Sequence, residues 1–313
     1  MTTVAVTAPG RVEPIFNTKP RGLWSTAMRR LLHRRSAIVG MVILGTLFSI
    51  AILAPLLATH DPIQTLIGIE NVKKREAPCI HALGCPADKP QHFFGTDGNV
   101  RDLYSRVLYG ARVSLSVGIL SVSLAIIIGT FFGAISGYAG GWTDNIVMGV
   151  VDIMLAFPSL ILAIAIVTVL GPGLFNTLLT ISIVSIPVYA RIMRSSVLSI
   201  KQNDYVLASQ AIGAPTHRIL AQSILPNALT PLVVQGTLGI AVAILDVAAL
   251  SFLGLGAQPP MAEWGSMIGQ ERNQVFTAPQ LIIFPGIFLI LTVLGFNLLG
   301  DGLRDALDPR QRS

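Results

Sequence analysis

Polar and apolar positions in this chain are segregated on the scale of whole helices. Ser36 through His60 carries no formal charge at neutral pH, and neither do the runs Val113–Thr143, Ile153–Ala190, Ile219–Leu245 and Asn273–Gly300. A bilayer core takes about 20 apolar residues per helix, so each run can span it. The third run is long enough for two spans, and Gly171-Pro172-Gly173 divides it where a hairpin turn would sit. The pattern predicts six helices, over residues 36–58, 113–138, 146–170, 174–192, 229–252 and 280–300. Repeated uncharged runs of this length argue against buried helices of a large soluble core.

Composition agrees: only 12% of the 313 residues are charged, against roughly a quarter in a soluble domain. Where the charges fall sets the topology. Residues 1–35 hold seven Lys/Arg and one acid. This basic stretch is long and the apolar run after it is of full membrane length, so Ser36 onward reads as an uncleaved anchor and not as a signal peptide. With residues 1–35 as a cytoplasmic tail, six spans return the C-terminus to the same side. The inner segments then hold 14 basic and six acidic residues and the outer ones eight of each, as the positive-inside rule requires. The basic pI of 9.7 follows from topology and points to no nucleic-acid partner. The expected organisation is the tail (1–35), a first transmembrane helix (36–58), an extracytoplasmic insertion (59–112) and a five-helix core (113–310) that includes a cytoplasmic loop over 193–227.

Within this frame a few residues carry chemistry. In the insertion, Asn99–Tyr109 predicts a short amphipathic helix on the membrane surface, where Asp102 and Arg106 stand four apart and could form an exposed pair. Cys79 and Cys85 both fall in this segment. A small disulfide, which an oxidising compartment would favour, and two free thiols are both compatible with the sequence. His81 and His92 lack a clear fourth ligand nearby, so no metal site is expected. Gly129, Gly133, Gly137 and Gly141 recur every four residues and predict close approach of a neighbouring helix. Pro158 predicts a kink in the third span. Asp152 and Asp246 are carboxylates inside spans, where acids are costly and mark a pathway or a buried pair; Asp152 could pair with Arg191 or Arg194, and Asp246 could meet the ammonium of a substrate.

The segment between the fourth and fifth spans has a helix–glycine–helix pattern. Asn203 or Asp204 can cap a helix over 205–212, and Gly213 can end it in the left-handed conformation. Thr216 can cap a second helix that Pro226 would terminate. The first helix carries an apolar face of Tyr205, Ala208 and Ile212 that needs a cleft in which to bury. Aligned on Gly213, the run Leu207-Ala208-Ser209, Gly213, Ser223-Ile224-Leu225-Pro226 resembles the cytoplasmic signature of the permeases of binding-protein-dependent ABC importers. That signature is Glu-Ala-Ala, three residues, Gly, nine residues, Ile-x-Leu-Pro; the glutamate is replaced here by Leu207. Phe94-Gly95-Thr96-Asp97, Asn99-Val100-Arg101-Asp102, Val151–Pro158, Leu250–Pro260 and Asn297–Arg310 are similar to the dipeptide/oligopeptide/nickel subfamily, nearest its second (C-type) dipeptide subunit. Asn99 departs from the glycine common there.

The resemblance covers residues 28–310 and implies an all-α membrane protein of the type I importer permease fold, lying in the cytoplasmic (inner) membrane of a prokaryote with both termini inside. It implies a coupling helix (Asp204, Tyr205, Leu207, Ala208, Ser209, Ile212, Gly213, Ala214, His217, Pro226) that docks an ATPase. It also implies an outer platform for a substrate-binding protein (Asp97, Arg101, Asp102, Gln258, Trp264). The partners implied are a homologous second permease, two ATPase subunits, the binding protein and membrane lipid. No G-x4-G-K-[ST] loop occurs, so ATP and its magnesium belong to the partners, and the chain itself carries no catalytic residues and no cofactor. Di- or oligopeptide is the expected cargo, with nickel or another small solute as the alternative. A secondary transporter, the rival from another class, would show more intramembrane charge and an internal repeat.

Overall fold

A computed structural model describes residues 28–307; most of the basic tail and the last three residues of the expected core lie outside them. The described residues form helices α1 (Arg35–Leu57), α2 (Leu103–Ala139), α3 (Gly141–Leu155), α4 (Ser159–Leu170), α5 (Leu174–Ile200), α6 (Asp204–Ala211), α7 (Leu225–Phe252), α8 (Trp264–Gln270) and α9 (Gln280–Leu307), with no named strand among them. Five rods are long and apolar enough to cross a membrane, and α3 with α4 makes a sixth when the bent pair is taken as one span. Large apolar side chains such as Ile52, Ile127, Val169 and Ile290 stay exposed on the outside of the bundle, as a lipid-facing surface requires.

The glycine periodicity translates directly into packing. A Cβ on Gly129, Gly133 or Gly137 would run into the backbone of α5 at Ala190 and Arg194 and into the side chains of Tyr189, Met193 and Val197. These glycines let α2 and α5 approach until backbone meets backbone, the most extensive helix contact in the molecule. Gly141 does not belong to that stripe: it has a positive φ of 54° and open space around it, and it turns the chain into α3.

Four other expectations need correction. The surface helix at 99–109 is not separate, because nothing breaks the helix between Leu103 and Ala139 and Asp102 caps it by accepting from the Ser105 N–H. Pro158 does more than kink the third span. With no N–H to donate, it ends α3 and opens α4 at 96° to it. Thr216 is not a cap, since Pro215 holds that position. Pro226 does not end a helix; it sits in the first turn of α7, where a π-helical stretch gives way to α-helix. A π-helical stretch over Ile219–Ile224 joins Thr216–Arg218 to α7, so one rod runs from Thr216 to Phe252.

Candidate functional site

The described residues place functional groups at the two ends of the bundle. At one end, Lys201 Nζ donates to the Tyr138 carbonyl at 2.8 Å, which sets the last turn of α5 beside the last turn of α2. Asp144 at the start of α3 takes a two-pronged contact from Arg194, with Nε at 2.6 Å, and also accepts from Ser136. Asp152 pairs with Arg191, and both side chains are more than half exposed.

From this corner the elbow projects. Asn203 stands at the cap position of α6 but makes no side-chain cap, and Gly213 takes the left-handed conformation at φ 79°. Val206 alone in α6 turns fully inward to the core. Asp204, Tyr205, Leu207, Ala208, Gly213 and His217 are exposed, Ser209 and Ala214 are partly covered, and Ile212 is 85% exposed. The Tyr205 hydroxyl lies 3.3 Å from Asn227 Nδ2, which ties the elbow loosely to the start of α7. Pro226 is exposed beside that contact.

The opposite end, holding residues 58–102 and 253–279, has the reverse character. Asp97, Arg101, Asp102 and Trp264 are buried, and of the expected platform residues only Gln258 is exposed. They hold this end of the molecule together rather than face outward from it. Asp97 accepts from Asn99 N–H, Arg101 N–H and Arg101 Nε at 2.8–2.9 Å and pairs with Arg106 at 3.3 Å. Arg106 is therefore not the partner of Asp102, as its spacing suggested. Its Nη1 donates to the carbonyls of Pro62 and Pro260, joining the insertion to the α7–α8 segment. The Trp264 indole is completely buried and donates to the Val107 carbonyl at 3.0 Å, against Gly110, where a Cβ would collide with it.

Sequence reasoning missed several members of this network. Glu263 caps α8 by accepting from Gly265 and Ser266 N–H and from Ser114 Oγ. Its burial pushes the carboxyl pKa up against the lowering effect of those hydrogen bonds. Glu271 accepts from Gly98 N–H and from Arg75 Nε, at 2.9 Å each. The one local signal was an acid directly before the short helix beginning at Trp264; Glu271 and Arg75 lie 196 positions apart and gave none. Cys79 and Cys85, which the sequence left open between a disulfide and two free thiols, are joined in a disulfide. Beside it, His92 lies between Asp102 and Glu70, and His60 reaches the same Glu70. Burial opposes the charged imidazole, but the hydrogen bonds and charges of Asp102 and Glu70 prevail and raise the His92 pKa. Burial likewise opposes the charged form of Asp102, yet hydrogen bonds from His92 and Ser105 hold its pKa below the ordinary carboxylate range.

Residues 129–313 match the family described as binding-protein-dependent transport system inner membrane component, and residues 22–78 match the N-terminal transmembrane domain of oligopeptide transport permease C. The chain belongs to this permease family. A dipeptide transport system permease protein of Alkalihalophilus pseudofirmus is 46% identical over 93% of this chain and 91% of its own. A glutathione transport system permease protein of Pectobacterium atrosepticum is 40% identical over 96% of both. In fold, the chain is similar to a protein of the inward-facing MetNI methionine ABC transporter, with a TM-score of 0.55 at 21% identity, over 66% of this chain and 98% of the other. The elbow and the insertion are thus at the two ends of a multi-pass transport permease.

Proposed function

We propose that this permease carries short peptides inward across the cytoplasmic membrane, with energy from two separate ATPase subunits that seat on the elbow. The observation that carries the reading is the exposed face of Tyr205, Ala208 and Ile212 along and just past a helix held between two spans. α5 ends at Ile200, α6 begins at Asp204 and the next rod begins at Thr216, so only three- and four-residue links separate the elbow from the spans. A displacement of α6 is passed to α5 and α7 with little slack. ATP-driven closure of the ATPase pair would draw two such elbows together, one from this chain and one from a homologous permease, and alternate the pore between outward- and inward-open states. Both termini then lie in the cytoplasm, and the insertion end receives peptide from a binding protein.

Peptide is favoured because the dipeptide and glutathione permeases above are related over nearly their whole length. Asp246 is half-buried in α7 one turn beyond the exposed Val242. On that open face it would meet the ammonium of a passing peptide. Gly213→Trp tests the docking role. The position has open space around it, and the strain that its left-handed φ puts on any side chain falls on the elbow turn outside the bundle, while the indole blocks seating in a cleft. Uptake and substrate-stimulated ATPase activity in the reconstituted importer should fall more than tenfold. Wild-type uptake in this variant would defeat the assignment.

A further inference from the structure

We propose that His60, Glu70 and His92 form a site for a divalent transition metal, with zinc the ion that fits, clamping the insertion onto the start of α2. The inference stands apart from the transport reading. His60 Nε2 lies 3.1 Å from Glu70 Oε1, and His92 Nε2 lies 3.0 Å from Glu70 Oε2. One carboxylate thus bridges two imidazoles whose ring centroids are 4.9 Å apart. The ligand atoms offered by the three residues all lie within 4.8 Å of one another. Tetrahedral zinc, with bonds of about 2.0–2.1 Å, has ligand–ligand edges of about 3.3 Å, so the two imidazole–carboxylate contacts already stand within a few tenths of an ångström of such an edge, and the rest of the set closes from at most 4.8 Å.

The donor inventory says which proton a metal would displace. A neutral imidazole has a single N–H, and an ionised carboxylate only accepts. Asp102 is fully buried and accepts from His92 Nδ1 at 2.8 Å. With that N–H committed, His92 Nε2 faces Glu70 either as the second N–H of an imidazolium or as a lone pair that a divalent cation takes in place of that proton. Thr59 Oγ1 holds the far nitrogen of His60 at 2.9 Å, so both rings are fixed from behind with Nε2 forward. A histidine ligand whose second nitrogen is anchored by a carboxylate is the usual outer-shell support of zinc sites. The charges of Glu70 and Asp102 together balance a divalent ion. Two imidazoles with one carboxylate suit zinc and disfavour calcium or magnesium, which take oxygen ligands. His60 and Glu70 are each about one fifth to one quarter exposed, which leaves a path for loading and an open position for water.

The site would join three stretches that share little regular structure. His60 follows the end of α1, Glu70 sits in the loop beyond it, and His92 pairs by backbone with the disulfide-bonded Cys79. Behind them stands Asp102, the cap of α2.

The test uses the purified full chain in detergent, stripped with a chelator and then dialysed against zinc. Wild type should retain one zinc per chain by elemental analysis, and competition with a chromophoric chelator should report its affinity. His60→Gln and Glu70→Gln, both at the rim of the site, should each bind at least tenfold more weakly while unfolding at the metal-free wild-type temperature. His81→Asn should bind as wild type, because His81 points away to the Lys89 carbonyl. X-ray absorption should show two imidazole nitrogens on the bound zinc. Absence of stoichiometric zinc from wild type, or equal retention by both Gln variants, would overturn the proposal.

Discussion

The two ends of this permease handle polar and apolar groups in opposite ways. At the insertion end, charged side chains lie inside the chain and pair with one another, Arg106 Nη2 alone among their nitrogens being buried without a hydrogen-bond partner: Asp97, Arg101 and Arg106 are each at most 5% exposed. At the elbow end, apolar side chains stand outside, α6 has no side-chain cap, and Ile212 projects past the last helical turn. A buried network of charges is rigid because any rearrangement strands a charge away from water. An exposed apolar face on a short helix is stable only by virtue of its tethers and gains by burial against something else. One end is closed on itself, and the other leaves an apolar surface open, which on the proposed reading is half of an interface.

The largest effect that would break the comparison comes from Asp97→Ala. It removes the shared acceptor of Arg101, Arg106 and two backbone N–H groups, leaving two buried guanidinium groups without their carboxylate. Removing one partner of a buried ion pair typically costs about 3–5 kcal/mol. Thermal unfolding of the purified chain should show that loss, and the platform should fail to bind its partner. A stability change below about 1 kcal/mol would mean that the network is as dispensable as a surface cluster.

The helices themselves were legible because hydrophobic runs of membrane length admit few readings, and the Gly129, Gly133 and Gly137 stripe announced the close contact of α2 with α5. Gly213 was legible for a different reason: its left-handed turn is a local event set by one residue. What escaped was set by distance along the chain. The His60–Glu70–His92 cluster and the Arg75–Glu271 pair join positions with no shared periodicity, and sequence spacing offered the misleading Asp102–Arg106 pair in their place. Pro158 and Pro226 show the limit of local rules. The same missing N–H breaks one helix nearly at a right angle and is absorbed in the first turn of another, and the difference lies in what precedes it, an α-helical turn or a π-helical one.

A smaller effect sharpens the other side of the comparison. Ile212→Asp replaces an apolar side chain that touches little in this chain, so unfolding should shift by no more than about 0.5 kcal/mol. Placing a charge in an apolar cleft should weaken ATPase docking at least tenfold, equivalent to about 1.4 kcal/mol. Copurification of ATPase with the tagged permease reads this directly. Equal recovery of ATPase with the variant would remove Ile212 from the interface and leave Tyr205 and Leu207 to carry it.

The smallest effect separates two ion pairs at the elbow end that spacing alone does not distinguish. Asp144 is largely covered and meets Arg194 through two nitrogens as well as Ser136, whereas Asp152 meets Arg191 through one nitrogen with both side chains mostly exposed. Exposed single contacts contribute about 0–1 kcal/mol, and hydrogen bonds to charged groups in covered sites about 1.5–3 kcal/mol. Asp144→Asn should therefore lower stability measurably, and Asp152→Asn should leave it within about 0.5 kcal/mol of wild type. Asp144 stands at the α2–α3 turn and Arg194 on α5, so its loss should also loosen the corner that supports the elbow and reduce coupling. If Asp152→Asn proves the more harmful for transport while stability holds, the exposed carboxylate acts on something outside this chain, and the elbow interface extends along α3.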